Sequence, residues 1–497
     1  MSARASRLIA VTTLAMLSST AAFSAELSSE DQAKLIRNVD AYASRMSEVA
    51  LQIWSAPELG YLETKTSALL QSELKAAGFT IETGVAGMPT AFVARAGTRE
   101  GPVIALLAEI DALPGLSQAA TPERKPIANQ DAGHGCGHHL FGAGAVAAAI
   151  AVKAWLEETG TKAQIRVYGT PAEEGGGGKV YMVRAGLFND VDATFYWHPG
   201  DANNASQDRN LANTSAKFRF HGQSAHAAAA PDRGRSALDG VEAMNFMVNY
   251  MREHVPQDVR IHYVITNGGA APNVVPDFAE SYYVVRHPDP RVVLDVFERV
   301  KKAAEGAALG TGTTVDYEVI GGDYSVLPND VLGRLMDSNL RRVGAPVWTS
   351  EEMAFAERLQ KTLPGRTQPA LTTASEIRSY RFNGQKYAST DSGDVSWATP
   401  LATLNTATWV PGTSAHSWQA TAAGGTSIGL KGAVVAAKTL ALTVAQISTS
   451  PDLIAAAKAE FDKSRGPGFV YKPLIGDRTA PPLDYRKASS AGAADPG

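Results

Sequence analysis

Cysteine is almost missing from this chain: one thiol, Cys136, stands among 497 residues. A lone thiol excludes an intrachain disulfide in any compartment. An excess of one charge is missing too. The 46 basic residues against 50 acidic ones leave a net charge of -4, with a pI near 6.2. Such a surface has no basic field, so nucleic acid is excluded as an expected partner. Beyond the N-terminus no run approaches ~20 uninterrupted apolar residues, and no membrane span is expected in the mature protein. Internal repeats and low-complexity tracts are absent. What remains is ordinary for a globular chain, 44% hydrophobic and 19% charged, and long enough for two or three domains with their own cores.

The N-terminus is the exception. Arg4 and Arg7 precede an apolar stretch from Leu8 to Leu17, and small residues follow. That three-part layout predicts a secretory signal peptide over residues 1–25, cleaved after Ser24 or Ala25. The mature protein is then expected in a bacterial periplasm or secreted.

Through the first half, apolar runs alternate with helical patterns. "VIALLAEI" (103–110), "QIRVYGT" (164–170) and "ATFYWHP" (193–199) predict buried strands, with a helix over 140–158 between the first two. Strand–helix–strand at this spacing argues for an α/β fold with a mostly parallel sheet, whose functional residues gather where strands end. The middle reads differently. "KFRFHGQ", a helix over 236–253, "RIHYVITN", "ESYYVVRH", a helix over 291–309 and "TTVDYEVI" make a β-α-β-β-α-β order, the ferredoxin-like arrangement. Helices are predicted over 331–343 and 350–362, then a final one over 429–447, and an irregular tail from Ser464 that wraps the surface or frays.

Chemistry concentrates in four short stretches. In "HGCGHH" (134–139), Cys136 and His138 lie two apart, so a tight turn can aim both to one side, and Gly133, Gly135 and Gly137 permit such a turn. Thiolate and imidazole suit zinc and related ions. Taken alone, Cys136 can be a ligand or a small buried residue; a nucleophile is disfavoured, since an exported thiol is open to oxidation and no Asn or Asp partner is identifiable. "PAEEGGGG" sets Glu173 and Glu174 after a buried strand and before a glycine run. Adjacent carboxylates point apart, so one can bind metal while the other handles a proton. His198 ends the aromatic run "YWHPG", and His416 sits in "VPGTSAHSWQ" ahead of the last helix. Two divalent ions about 3.5–4 Å apart would use such a set, but residues so distant in sequence do not declare their own pairing.

The ordered stretches "GHGCGHHLFGAG", "PAEEGGGG", "WHPG", "FHGQSAHAAAAPDRGRSALDG", "PNVVPDFAE", "STDSGDVSW" and "PGTSAHSWQ" resemble the metal-dependent aminoacylase and carboxypeptidase superfamily. Within it they look like the amidohydrolase branch that includes the B subunit of p-aminobenzoyl-glutamate hydrolase and the auxin-conjugate hydrolases. The likeness runs from about residue 30 to 460. It implies a two-domain metallohydrolase: a catalytic domain in two parts (26–212 and 326–463), interrupted by a lid that dimerises (213–325), with the tail at 464–497. It implies two divalent ions per subunit, zinc or manganese, on Cys136, His138, Glu174, His198 and His416, with Glu173 as general base. His226 resembles a histidine that reaches into the neighbouring subunit's site, and Asn273 a residue beside it. Arg286 is a candidate for holding a substrate carboxylate, and Asp111 for orienting a ligand from behind. One departure stands out: His139 occupies a position usually filled by Asn or Asp in the branch, an added imidazole beside the metals.

The resemblance implies hydrolysis of the amide bond of N-acyl or N-aroyl amino acids such as p-aminobenzoyl-glutamate, with a companion A-type subunit as a further partner. A dipeptidase of the same superfamily is the alternative within enzymes. A periplasmic metal- or solute-binding protein without catalysis is the alternative outside them; the spare carboxylate of Glu173 argues against it, since binding alone does not need it.

Overall fold

The structure, a computed structural model, describes residues 26–365 and 368–488; the expected signal segment lies outside the described residues. Val103–Glu109 and Gln164–Thr170 are buried at every position, as befits strands inside a parallel sheet covered on both faces. They pair in parallel with Val103 opposite Gln164. Ala193–Gly200 joins in parallel on the other flank of Val103–Glu109, and Leu401–Ala407, two hundred residues on, pairs in parallel with it. Two strands not foreseen from sequence, Thr80–Thr83 and Phe92–Gly97, close the opposite edge in antiparallel fashion.

The helix expected over 140–158 runs over His138–Thr159, between left-handed Gly137 and Gly160. With Ser427–Ser448 it is long and apolar enough to cross a membrane by length and composition, which the search for unbroken apolar runs overlooked. Yet 83% and 78% of their most apolar windows are buried inside the molecule. These are core helices, and Ser29–Ser55 packs across both.

Residues 212–323 build the second layer set. Arg260–Asn267, Phe278–His287, Ala212–His221 and Thr314–Asp323 form an antiparallel sheet in that order. The helices Ala237–Met251 and Pro290–Thr311 cover one face, where Phe218, Phe220, Tyr283, Val296 and Val300 are buried together. Alternation puts Ser215 and Tyr282 on the opposite face, towards the catalytic part. The ferredoxin-like reading of this insert is borne out.

The far end departs from expectation. Ser427–Ser448 is followed by another helix, Pro451–Arg465, with its proline in the first turn where no N–H is missed. Beyond it the described part of the tail, as far as residue 488, does more than wrap the surface. Leu474 and Ile475 are buried, and a short helix occupies Tyr485–Ala488.

Candidate metal centre

The parallel strands all point their carboxyl ends to one edge of the sheet, and the loops leaving them converge there. Val103–Glu109 delivers Glu109 and then Asp111. Gln164–Thr170 leads to Glu173 and Glu174, Ala193–Gly200 carries His198, and the loop after Leu401–Ala407 brings His416. Cys136 and His138 come from the turn that opens the long core helix. That turn depends on Gly137: its φ of +82° is left-handed, and a Cβ there would lie 2.7 Å from Pro199.

Among the described residues, the ligand atoms of Cys136, His138 and His198 lie within 4.8 Å of one another, as do those of Cys136, Glu174 and His416. The two triads share the thiol. Cys136 Sγ is 3.4 Å from His198 Nε2, and His416 Nε2 is 3.2 Å from Glu174 Oε2. All five expected ligands are thus brought together. Glu173 falls beside them, grouped with His138 and Glu174.

Burial, and then the Glu174 carboxylate, push the Cys136 thiol well above its ordinary value. Burial also lifts Glu173, reinforced by the carboxylates of Glu109, Glu174 and Asp391 and opposed by Lys179. For His138 burial works downwards, but Glu109 and Cys136 outweigh it and hold the imidazole well above the usual range. Burial lowers His198 to about 4. A divalent ion among these groups would favour the thiolate and the carboxylates and oppose the shifts that burial imposes. Among the described residues, Glu174 Oε1 and His138 Nε2 are buried without hydrogen-bond partners, although His138 Nε2 approaches Glu109 Oε2 at 3.1 Å. The approach lacks hydrogen-bond alignment. Thiolate, imidazole and carboxylate donors with unspent lone pairs fit divalent ions.

Asp111 stands behind the ligands as expected. Its Oδ1 lies 3.0 Å from His138 Nδ1, and its Oδ2 accepts the Glu174 amide at 3.0 Å. Arg286 faces the cleft over the centre, about 670 Å³ in volume, and its guanidinium donates to Ser389 at 3.0 Å. His226 and Asn273 do not line that cleft. They are neighbours, through the Ala227 amide and the Asn273 carbonyl at 3.0 Å, on an exposed part of the lid. His139 turns away from the ligands: its Nε2 lies 3.0 Å from the Gly424 carbonyl, its ring packs on His134, and burial lowers it to about 3. The imidazole expected beside the metals belongs to the packing behind them, because successive residues of the helix point around its axis.

Sequence reasoning missed a buried ion network under the centre. Lys179 Nζ binds Glu109 Oε1 at 2.8 Å and Asp391 Oδ1 at 2.5 Å, all three fully shielded from solvent. The signals were present. Glu109 is a charge at the end of an all-apolar strand, Lys179 closes "GGGGK", and Asp391 lies in "STDSGDVSW".

Comparison with known proteins agrees with this geometry. Residues 105–377 match the model of peptidase family M20/M25/M40. The B subunit of p-aminobenzoyl-glutamate hydrolase from Escherichia coli (strain K12) is 41% identical over 470 residues, 90% of this chain and 98% of that protein. The Xaa-Arg dipeptidase of Mus musculus is 31% identical over 85% of this chain and 90% of its own length. A dinuclear metal-binding M20 peptidase of Bacillus subtilis superposes with a TM-score of 0.56 at 19% identity, covering 83% of this chain and 99% of that structure, and shares the fold. The chain belongs to peptidase family M20/M25/M40 and is a hydrolase acting on amide bonds.

Proposed function

We propose that the protein hydrolyses the amide bond of N-acyl or N-aroyl amino acids, p-aminobenzoyl-glutamate among them, as an exported homodimer. The observation that carries this reading is the pair of triads sharing Cys136, with the spare carboxylate of Glu173 beside them and Arg286 across the cleft. Cys136, His138, Glu174, His198 and His416 would hold two divalent ions, zinc or manganese. Bound there, the ions supply Lewis acidity, lowering the pKa of water and polarising the scissile carbonyl. Glu173 takes the water's proton and returns it to the leaving amine. Asp111 fixes the ring of His138, and Arg286 pairs with a carboxylate of the substrate.

The lid completes the site from a second copy. The Nδ1 of His226 accepts the amides of Ala228 and Ala229, each at 3.2 Å. Its proton is therefore left on Nε2, the tautomer that donates to a developing oxyanion. Val274 is bridged to His226 and exposed, and the lid also exposes Val264, Ile265, Phe246 and Tyr250, apolar surface suited to burial between copies. Asn273 sits beside His226 to meet the same substrate. Export rests on the layout of residues 1–25. A companion A-type subunit is a further partner, since the relative at 41% identity is itself one subunit of a hydrolase that also has an A-type subunit.

The dipeptidase relative supports a second reading, cleavage of a dipeptide by the same groups. A side-by-side assay of p-aminobenzoyl-glutamate, a dipeptide and a hexapeptide, with and without chelator, separates the readings. The conjugate is expected to turn over fastest and only with metal. Preference for the dipeptide promotes the second reading, and fastest cleavage of the hexapeptide overturns both.

A further inference from the structure

The C-terminal segment reaches the metal centre, and nothing in the chemistry above uses it. Leaving Pro451–Arg465, it touches both domains in turn. Tyr471 donates to Asp394 at 2.6 Å in the catalytic part, and the Leu474 carbonyl accepts from Thr214 at 2.7 Å in the lid sheet. Arg478 then pairs with Glu318 of the lid at 2.9 Å, while its carbonyl accepts from Arg184 of the catalytic helix Gly178–Arg184 at 2.6 Å. The path finishes on the glutamate loop. The Tyr485 hydroxyl lies 3.4 Å from the carbonyl oxygen of Glu174, and the Arg486 guanidinium donates to the same oxygen.

The landing place is shaped for it. A Cβ on Gly60 would lie 2.3 Å from the Tyr485 hydroxyl and 2.9 Å from the Ala172 Cα, so a larger residue would press on both the tail and the glutamate loop. The next residue, Tyr61, meets the Tyr485 ring edge-on at 5.7 Å and donates to the Gly176 carbonyl at 2.7 Å. The loop is thus gripped at the carbonyls of Glu174 and Gly176. Turn bonds from the Gly176 and Gly177 amides to the Ala172 carbonyl, each at 2.9 Å, and the Asp111 carboxylate on the Glu174 amide hold the rest of it. Ala172, Gly175 and Gly177 are all left-handed, with φ of +57°, +107° and +66°, and a four-glycine run loses much backbone entropy when held in one shape.

We propose that residues 466–488 form a strap, and that Tyr485 and Arg486 are positioning residues for the loop carrying Glu173 and Glu174. Their effect on metal affinity rests on the reading of Glu174 as a ligand; their effect on loop order does not. The full chain is compared with Arg486→Ala, Arg486→Lys and Tyr485→Phe. Amide exchange over 173–178 is followed by mass spectrometry in chelator-treated protein, and zinc affinity by competition with a chelating dye. Arg486→Ala should speed exchange in that loop about tenfold, and weaken zinc about 10–100-fold as loss of an outer partner does. Tyr485→Phe should act in the same direction, and Arg486→Lys should recover part of the loss. Unchanged loop exchange in both Arg486→Ala and Tyr485→Phe overturns the strap. Exchange that quickens throughout the chain also overturns it, because it marks general loosening. Loop exchange that quickens with zinc affinity unchanged supports the strap and removes Glu174 from the ligand set.

Discussion

Glu173 and Glu174 are adjacent, yet their surroundings divide their work. Glu174 is held by His416 and by the Asp111 carboxylate on its amide, whereas Glu173 is lifted by burial among other carboxylates. Glu173→Gln should lose nearly all turnover and keep its metal; Glu174→Gln should lose metal as well. Metal analysis of both purified variants decides, and equal loss would defeat the division of roles. Lys179 carries the opposite kind of burden, one cation shielded from solvent between Glu109 and Asp391. Lys179→Met would leave two buried carboxylates without their counter-ion. It should cost about 3–5 kcal/mol in denaturant unfolding of the chelated protein. Residue type made Cys136, His138, Glu174, His198 and His416 possible ligands one by one, and only the family resemblance of their motifs joined them into one set. The network beneath them was not legible, because each member alone reads as an ordinary charge.

At the scale of elements, Glu63 shows how a helix is tied to the site. It stands at the start of Thr64–Ala76 but caps nothing with its side chain. Its carboxyl instead accepts from Thr90 at 2.8 Å and from the Ala172 amide at 2.9 Å, just ahead of the glutamate pair. Burial, with the Asp111 charge adding to it, raises this carboxyl to about 8. The folded state therefore keeps a proton that the unfolded chain releases near pH 4.3. Between those values the unfolded state binds fewer protons, so this group makes stability fall as pH rises, with the loss complete above about 8. Urea unfolding of metal-free protein at pH 5, 6.5 and 8 should show that decline, and Glu63→Gln should flatten it. An equal slope in the variant would place the proton elsewhere. Neither this helix nor Ser29–Ser55 was read from the sequence, where residues 26–102 offer no motif.

The whole molecule raises the question of where His226 acts. Within one chain it lies outside the cleft, exposed and with its Nδ1 occupied. If it serves a neighbouring subunit, His226→Ala and Glu173→Gln proteins, each inactive, should rescue one another when mixed. A mixed dimer holds one site with both residues intact, so up to about a quarter of the wild-type activity is expected when subunits exchange at random. No recovery under proven exchange would remove His226 from the partner's site. The Gly-rich loop and the strap over it matter at this scale too, since Arg478 ties the same segment to the lid.

Alternation and apolar runs, the physics of burying one face or two, were enough to predict three of the four parallel strands, the core helix behind Cys136 and the β-α-β-β-α-β insert. Those are local patterns, and the sequence by itself determined them. It also determined the donor types at the centre. The tertiary structure alone decided what meets at a distance: that Leu401–Ala407 completes a sheet begun three hundred residues earlier, that His139 faces Gly424 and not the ligands, and that a tail without periodic pattern returns to Glu174. Such contacts depend on which surfaces remain uncovered once the cores have formed, and no short stretch of sequence carries that information.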